Sequence, residues 1–143
     1  MKLKFSLEGL PVPVSSKLVE MLNAEAVKKE KSDSASAITF NFRNSQYSPT
    51  QGGYHPVEIR VEQHQNLWHI SYITDFSYVG NVFPELEKEI DFDLGNNRAY
   101  IMFLGEVSMP NPDIASFYSD WEQNFMSYWE LGCFDKIETS VEH

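Results

Sequence analysis

The segment 37–74, AITFNFRNSQYSPTQGGYHPVEIRVEQHQNLWHISYIT, decides the fold, because its second half predicts a β-hairpin. Apolar and polar residues alternate on both sides of a turn at Gln65-Asn66, which is typical of strands with one buried face. A slip of one residue would turn every apolar side chain to the other face, so the pattern specifies one register. The predicted opposite pairs on the buried face are Val61 with Ile70, Ile59 with Tyr72, and Val57 with Thr74.

On the outer face the same register places Glu62 opposite His69 and Arg60 opposite Ser71, and each such pair contributes only about 0.2 to 1 kcal/mol. His64 lies near the tip of this face, so Glu62, His64 and His69 offer three possible zinc ligands. The hairpin provides no neighbouring group to orient them. We therefore expect no metal site there, and no cofactor.

Two helices flank the strands. Ser15 or Ser16 caps the first, whose apolar residues share one face. The second helix has both ends specified, with Asn111 as its N-cap, Pro112 at its first position and Gly132 suited to the left-handed C-terminal position. The apolar face of the first helix carries Leu18, Met21, Leu22 and Ala26.

The second helix has an aromatic face that we interpret as core. No basic residue lies between Asp113 and Glu130, so a nucleic-acid stacking platform would lack its positive charge. Glu122 is predicted on the opposite, solvent-facing arc. The aromatic face consists of Ile114, Phe117, Tyr118, Trp121, Phe125, Tyr128 and Trp129.

The segment 83–107, FPELEKEIDFDLGNNRAYIMFLGEV, predicts two strands joined by a turn at residues 95–97. A short helix opening at Pro84 is the alternative for its first part. Residues 100–104 are apolar on both faces, which is typical of an interior strand. Apolar Leu86, Ile90, Phe92 and Leu94 share one parity, and an acidic stripe of Glu85, Glu87, Glu89, Asp91 and Asp93 occupies the other.

Length and composition predict one α+β domain spanning residues 1–143, with a mainly antiparallel sheet of about five or six strands and two helices on one face. The chain is 42% hydrophobic, enough for a sizeable core. Leu3 to Leu7 suggest a short edge strand, and Phe134 to Val141 a final strand. No segment is long enough to span a membrane. The single Cys133 fits a reducing cytoplasm.

Acidic charge is concentrated in the second half of the chain. Residues 75–143 carry three Lys/Arg against fourteen Asp/Glu, a balance of −11 within a net charge of −10. Such a surface repels phosphate backbones and anionic lipid, so we expect no direct nucleic-acid or membrane partner. A solvated surface is the simplest interpretation, and a basic protein is the partner that the charge favours.

The loop 44–53 between two strands is longer than a hairpin requires, and long loops often carry function. One hypothesis is an acid–base pair with an anion-binding arginine, although no nucleophile with a base and no phosphate-binding glycine loop accompanies it. The simpler alternative is that the tyrosines pack the loop and His55 bonds a backbone carbonyl. The candidate site consists of Arg43, Tyr47, Tyr54, His55, Glu58 and Asp75.

FNFRNSQYSPTQGGYHPVEIRVE, YITDFSYVG and FPELEKEIDFDL resemble the bacterial family known as domain of unknown function 2787, over most of the chain from about Val14 to Gly132. The resemblance implies a small single-domain bacterial protein and brings no activity or catalytic residues.

Three functional hypotheses follow. The first is a non-enzymatic binding or accessory protein that engages a basic protein partner. The second is a small enzyme or ligand-binding protein that uses the loop region. The third is an acidic mimic of nucleic acid, which requires carboxylates spaced like phosphates along one face.

Overall fold

A computed structural model of the protein describes residues 2–29 and 34–143. It has two α-helices and seven strands, all paired antiparallel in one sheet. The helices are α1 (Ser16–Ala26) and α2 (Pro112–Glu130), and the strands are β1 (Ala37–Arg43), β2 (Val57–His64), β3 (Leu67–Val79), β4 (Glu85–Asp93), β5 (Arg98–Ile101), β6 (Gly105–Ser108) and β7 (Lys136–Glu142).

The sheet order is β6-β5-β4-β3-β2-β1-β7, so six strands follow one another as a meander and β7 returns to pair with β1. Our expectation of five or six strands was slightly low. Residues 100–104 are not one interior strand, because β5 ends at Ile101 and the chain turns back into β6. Phe103 in that turn adopts φ 71° and is 95% exposed. The final strand was predicted and is β7.

The β2–β3 hairpin turns at Gln65 and Asn66, both with positive φ, as predicted. Near the turn the predicted register is correct, with Val61 opposite Ile70. A β-bulge follows, because Ser71 has no partner, and beyond it the predicted register was wrong. Ile59 lies opposite Ile73 rather than Tyr72, Arg60 opposite Tyr72 rather than Ser71, and Val57 opposite Asp75 rather than Thr74.

A second bulge divides the predicted acidic stripe. Glu89 is the extra residue of β4, since Ile90 pairs with Asp75 and Lys88 with Phe76. Asp91 lies opposite Thr74, and Glu87 lies opposite Ser77. Thr74 and Ser77 are three positions apart on β3, so they and their partners point to opposite faces of the sheet. Side chains alternate along a strand, so Glu85 and Glu87 lie on one face and Asp91 and Asp93 on the other. The prediction of one continuous stripe was therefore wrong.

One core joins both helices to one face of the sheet. Phe42 of β1 packs edge-on against Phe125 of α2, and Phe92 of β4 packs edge-on against Tyr118, with ring centroids 5.1 and 4.9 Å apart. The four residues predicted for the α1 face are all buried. Ser15 is the N-cap of α1, and Asn111 and Pro112 open α2 as predicted.

Glu122 corrects our prediction for the polar face of α2. It is 6% exposed, and its carboxylate accepts hydrogen bonds from the Tyr118 hydroxyl at 2.7 Å and the Ser15 backbone N–H at 3.1 Å. The buried carboxylate therefore ties the start of α1 to the middle of α2. Helical periodicity alone could not reveal this, because α1 covers that side of α2 only in the folded chain.

The N-terminal segment forms less structure than predicted. Phe5 makes a single bridge to Trp68 instead of a strand, supported by backbone bonds between Trp68 and both Lys4 and Ser6. Among residues 2–29 and 34–143, no helix is long and apolar enough to cross a membrane.

Candidate functional site

A cleft of about 610 Å³ opens between α2 and the middle of the sheet. Its size is within the usual range for small-molecule sites. The walls combine aromatic and aliphatic side chains with a group of polar ones at the β3–β4 side. The lining residues are Gly53, Tyr54, His55, Val57, Asp75, Glu89, Ile90, Trp121, Asn124, Phe125, Tyr128 and Phe134.

The β1–β2 loop delivers His55 to this cleft and is anchored at its start. The Asn44 side chain donates to the Cys133 carbonyl at 2.6 Å, and the Ser45 N–H donates to the Asp135 carboxylate at 2.9 Å. The Ser45 hydroxyl also donates to this carboxylate, and this bond, followed by the backbone one, holds the pKa of Asp135 below its ordinary value. Gly53 has φ 131°, and a Cβ there would lie 3.3 Å from the Tyr47 Cα. This region of the loop therefore requires glycine.

Three ionisable side chains converge at the polar end of the cleft. His55 Nδ1 lies 2.8 Å from Asp75 Oδ1 and 3.3 Å from Glu89 Oε2. The hydrogen bond to Asp75 raises the pKa of His55 above its ordinary value, although partial burial opposes the shift. The group therefore favours a positive charge at His55 between two carboxylates.

Asp75 is held from its other side. The Trp121 indole N–H donates to Asp75 Oδ2 at 2.9 Å, which leaves Oδ1 directed at His55. Both bulges contribute to this arrangement. The Ser71 bulge sets Asp75 opposite Val57 on the helix-facing side, and the Glu89 bulge turns Glu89 out of the regular alternation, towards His55.

Aromatic rings form the walls around this group. Trp121 stacks on Phe125 at 5.2 Å with nearly parallel planes, and Tyr54 packs edge-on against Tyr128 at 4.8 Å. Behind His55, the centre of the Tyr47 ring lies 5.4 Å from the centre of the imidazole ring. Burial raises the pKa of the Tyr47 hydroxyl. The Tyr47 oxygen accepts the backbone N–H of Tyr78 at 3.1 Å. These contacts fix the loop against β3.

The structure brings together part of the predicted site. His55, Tyr54 and Asp75 line the cleft, and Tyr47 supports His55. Two predicted members lie elsewhere, because alternation along the strands directs them away from the cleft.

Glu58 accepts a hydrogen bond from Tyr72, on the sheet face opposite the helices. Arg43 is exposed at the end of β1, paired with Lys136 of β7. Neither lines the cleft. The predicted anion-binding arginine is therefore not part of this group.

Sequence reasoning missed three contributors. We assigned Glu89 to the acidic stripe, Trp121 to the core, and Asn124 to no site. Lys88 interrupts the apolar alternation of β4, and this irregularity was the available signal for a bulge at the next residue. Trp121 is partly buried, so it belongs to both the core and the cleft wall. No pattern in the sequence indicated that Trp121 would contact both the core and the cleft.

The hairpin residues considered as zinc ligands are less closely grouped. His64 Nε2 lies 3.4 Å from Glu62 Oε1, and the His64 and His69 rings are 5.7 Å apart. Across residues 2–29 and 34–143, only His55, Asp75 and Glu89 bring three potential ligand atoms within 4.8 Å of one another.

Comparison with known proteins identifies the family. The family model described as "Protein of unknown function (DUF2787)" matches residues 15–140. Among curated proteins, none matches the chain. The structure of the hypothetical protein VC0508 from the VSP-II pathogenicity island of Vibrio cholerae is similar over 99% of this chain and 100% of that one, with 32% identity and a TM-score of 0.90.

A second similar structure is the conserved hypothetical protein VC1805 from pathogenicity island VPI-2 of Vibrio cholerae O1 biovar eltor strain N16961, which is described as sharing structural homology with the human P32 protein. Its identity is 35% and its TM-score 0.79, over 93% of this chain and 98% of that one. The family match covers nearly the whole sheet and both helices, and on this evidence the chain belongs to the DUF2787 family of proteins of unknown function.

Proposed function

We propose that this protein binds a small ligand in the cleft between α2 and the sheet. The observation that carries the proposal is the convergence of His55, Asp75 and Glu89 at one end of an aromatic-walled cavity of about 610 Å³. Pockets that combine apolar walls with a few convergent polar groups are the usual form of ligand sites. Function as a binding protein needs no catalytic group, so the absence of an evident nucleophile in the sequence does not oppose it.

The chemistry of the walls indicates a ligand class. An aromatic or aliphatic body would pack on Trp121, Phe125 and Tyr128, and its polar end would face the histidine and the two carboxylates. Asn124 offers an amide that can both donate and accept a hydrogen bond. We propose a location in the bacterial cytoplasm, supported by the lone Cys133 and by the bacterial source of the similar structures.

Filling the cleft should abolish fragment binding. Asn124 is an exposed helical residue at the cleft wall, so Asn124→Trp should occupy the cavity without disturbing the core, whereas Gln123→Trp adds the same ring outside it. We expect a library of small aromatic fragments, screened by protein-observed NMR, to shift the Trp121 indole N–H signal in the wild type and in Gln123→Trp. Asn124→Trp should lose these shifts.

The chain supplies an internal reference for this screen. Trp68 of β3 is buried, and the Trp129 indole donates to Glu25 at 2.9 Å; neither residue lines the cleft. Fragments that shift all three tryptophans equally, or that bind Asn124→Trp as well as the wild type, would contradict the proposal.

A basic protein partner remains the second candidate, and a specific surface favours it. Neighbouring strands run in opposite directions, so the β3–β4 and β5–β6 turns lie at the same end of the sheet. The β3–β4 hairpin extends further, because its pairing continues to Glu85, whereas the β5–β6 turn begins beside Glu89. The two turns expose Val82, Phe83, Phe103 and Leu104, at 78%, 84%, 95% and 75%. We call these four residues the apolar turn surface. Exposed aromatic residues of this kind commonly mark binding sites.

Charge and backbone geometry support this candidate. The apolar turn surface belongs to the half of the chain with the −11 balance, beside exposed Glu85 and Glu87, so a partner with basic and apolar residues would be complementary. Phe103 adopts a left-handed conformation that is costly for a bulky residue, and such strain concentrates at functional positions. The third hypothesis, a nucleic-acid mimic, loses the single line of carboxylates on which it rested.

A synthetic amphipathic helical peptide, with leucines at positions i, i+3, i+4 and i+7 and lysines on the opposite face, tests the second candidate. We expect it to bind the wild type, and to bind the Phe103→Ser/Leu104→Ser double variant about tenfold or more weakly, since each buried apolar side chain contributes about 1.5 to 3 kcal/mol. Val27→Ser, at another exposed apolar residue, is the control and should bind normally. Fluorescence anisotropy measures the affinity at low and high salt. If a peptide in which serine replaces every leucine binds the wild type equally well, the contact is only non-specific attraction between charges.

A further inference from the structure

We propose that His55, Asp75 and Glu89 form a binding site for a divalent transition-metal ion, with coordination positions open to the cleft. The proposal deepens the proposed function, because the open positions would receive the polar end of the ligand. Imidazole nitrogen with carboxylate oxygen is a ligand set that suits zinc, manganese and iron. Three protein ligands with a free position is the usual arrangement of sites that bind an exchangeable molecule.

The interatomic distances fit such an ion. Bonds of about 2.0 to 2.1 Å in tetrahedral geometry separate ligand atoms by about 3.3 Å. His55 Nδ1 lies 3.3 Å from Glu89 Oε2 and 2.8 Å from Asp75 Oδ1, so a small side-chain rotation creates the required spacing. All three ligand atoms lie within 4.8 Å of one another.

Neighbouring groups already orient the ligands. Metal-binding carboxylates and histidines usually form hydrogen bonds with a second set of residues, and these bonds fix their direction. Trp121 N–H holds Asp75 Oδ2, so that Oδ1, which is hydrogen-bonded to His55 in this structure, faces the position of the proposed ion. Tyr47 packs against the His55 ring, and the bulge fixes Glu89. In the hairpin set, by contrast, the Arg60 guanidinium already pairs with Glu62 Oε2 at 2.9 Å, and the His64 side chain is 65% exposed, so this set serves as an internal comparison.

The site is accessible but not fully exposed. The side chains of His55, Asp75 and Glu89 are 33%, 12% and 36% exposed, and all three line the cleft. An ion can therefore enter from the cleft, and a bound ion would still present an open face to it. A bound ion would displace the proton of His55, because only the neutral imidazole can act as a ligand. The two carboxylates and the neutral imidazole would then carry two negative charges, which favours a divalent cation.

Metal titration tests the proposal with the ions themselves as probes. We expect isothermal calorimetry with Zn²⁺ to show one strong site per chain. Glu89→Gln removes one charged ligand at similar size and should weaken binding about tenfold or more, a loss of the size seen when groups supporting a metal are changed. Glu87→Gln, an exposed acid on the same strand, and His64→Gln in the hairpin should bind as the wild type does.

A spectroscopic measurement locates the ion. Mn²⁺ is paramagnetic, so an ion held by Asp75 should broaden the Trp121 indole N–H signal before those of Trp68 and Trp129. His55→Gln should abolish this selective broadening. It also provides a second variant if Glu89→Gln lowers the melting temperature enough to unfold the chain.

Several results would overturn the metal site. These are a titration without heat, equal Zn²⁺ affinity in Glu89→Gln and the wild type, or loss of binding in His64→Gln. In each case the group would be an ion-pair cluster. Fragment binding is measured separately, in the presence of a chelator. If the cleft binds ligands without a metal, fragments bind but the Zn²⁺ titration fails; if only the metal site exists, Zn²⁺ binds but fragments do not.

Discussion

Trp121→Ala should lower the free energy of unfolding by roughly 3 to 5 kcal/mol, the usual cost of truncating a large aromatic residue in a core. The indole ring stacks on Phe125 at 5.2 Å, packs edge-on against Phe92 at 5.9 Å, and hydrogen-bonds Asp75. Alanine would leave a cavity between α2 and the sheet and remove the wall of the cleft. Urea denaturation followed by circular dichroism measures the change.

Trp121→Phe separates packing from hydrogen bonding. It retains an aromatic ring but removes the N–H that Asp75 accepts, so we expect a smaller loss of about 1.5 to 3 kcal/mol, as for hydrogen bonds to charged groups. A nearly neutral Trp121→Ala would show that the aromatic face of α2 is not core. In that case the residue would serve the cleft alone.

Glu122→Ala should cost about 2 to 3 kcal/mol, because it removes the acceptor of one buried donor and one partly buried donor. The Tyr118 hydroxyl is fully buried, and its pKa is raised well above the ordinary value, mainly by burial and then by the nearby carboxylate. Without Glu122 this hydroxyl and the Ser15 N–H would lose their hydrogen bonds. Thermal and urea unfolding measure the loss.

Two controls accompany Glu122→Ala. Glu130→Ala, an exposed acid on the same helix, should be nearly neutral. Adding Tyr118→Phe to Glu122→Ala removes the orphaned hydroxyl, so the double variant should be more stable than the sum of the two single changes implies. If Glu122→Ala unfolds like Glu130→Ala, the buried carboxylate contributes nothing to the contact between α1 and α2.

Local signals predicted most of the secondary structure. Gln65-Asn66 fixed the hairpin turn, Asn111 and Pro112 fixed the start of α2, and the alternation of apolar residues fixed which side of β2 is buried. These signals act over a few residues, because capping, turn geometry and side-chain alternation depend only on neighbours along the chain.

The candidate site was only half predictable. His55 and Asp75 were identified because the loop and the strand end were visible in the sequence, but Glu89 and Trp121 were assigned to a surface and to the core. A single extra residue at Glu89 changed the direction of its side chain and divided the acidic stripe. The Ser71 bulge displaced the register and set Asp75 opposite Val57. Bulges form where strands curve against the rest of the fold. The interruption at Lys88 was the one local sign of the Glu89 bulge, and no local pattern marked the bulge at Ser71.

The sequence by itself determined the α+β class, the hairpin, the helix ends and the acidic second half of the chain. Only the tertiary structure decided that β7 pairs with β1, that Glu122 is buried beneath α1, and that His55, Asp75 and Glu89 meet beside Trp121. The physical reason is the range of the interactions. Turns and caps join neighbouring residues, whereas the cleft group joins a loop, two strands and a helix up to 66 residues apart, and such contacts exist only once the core has formed around them.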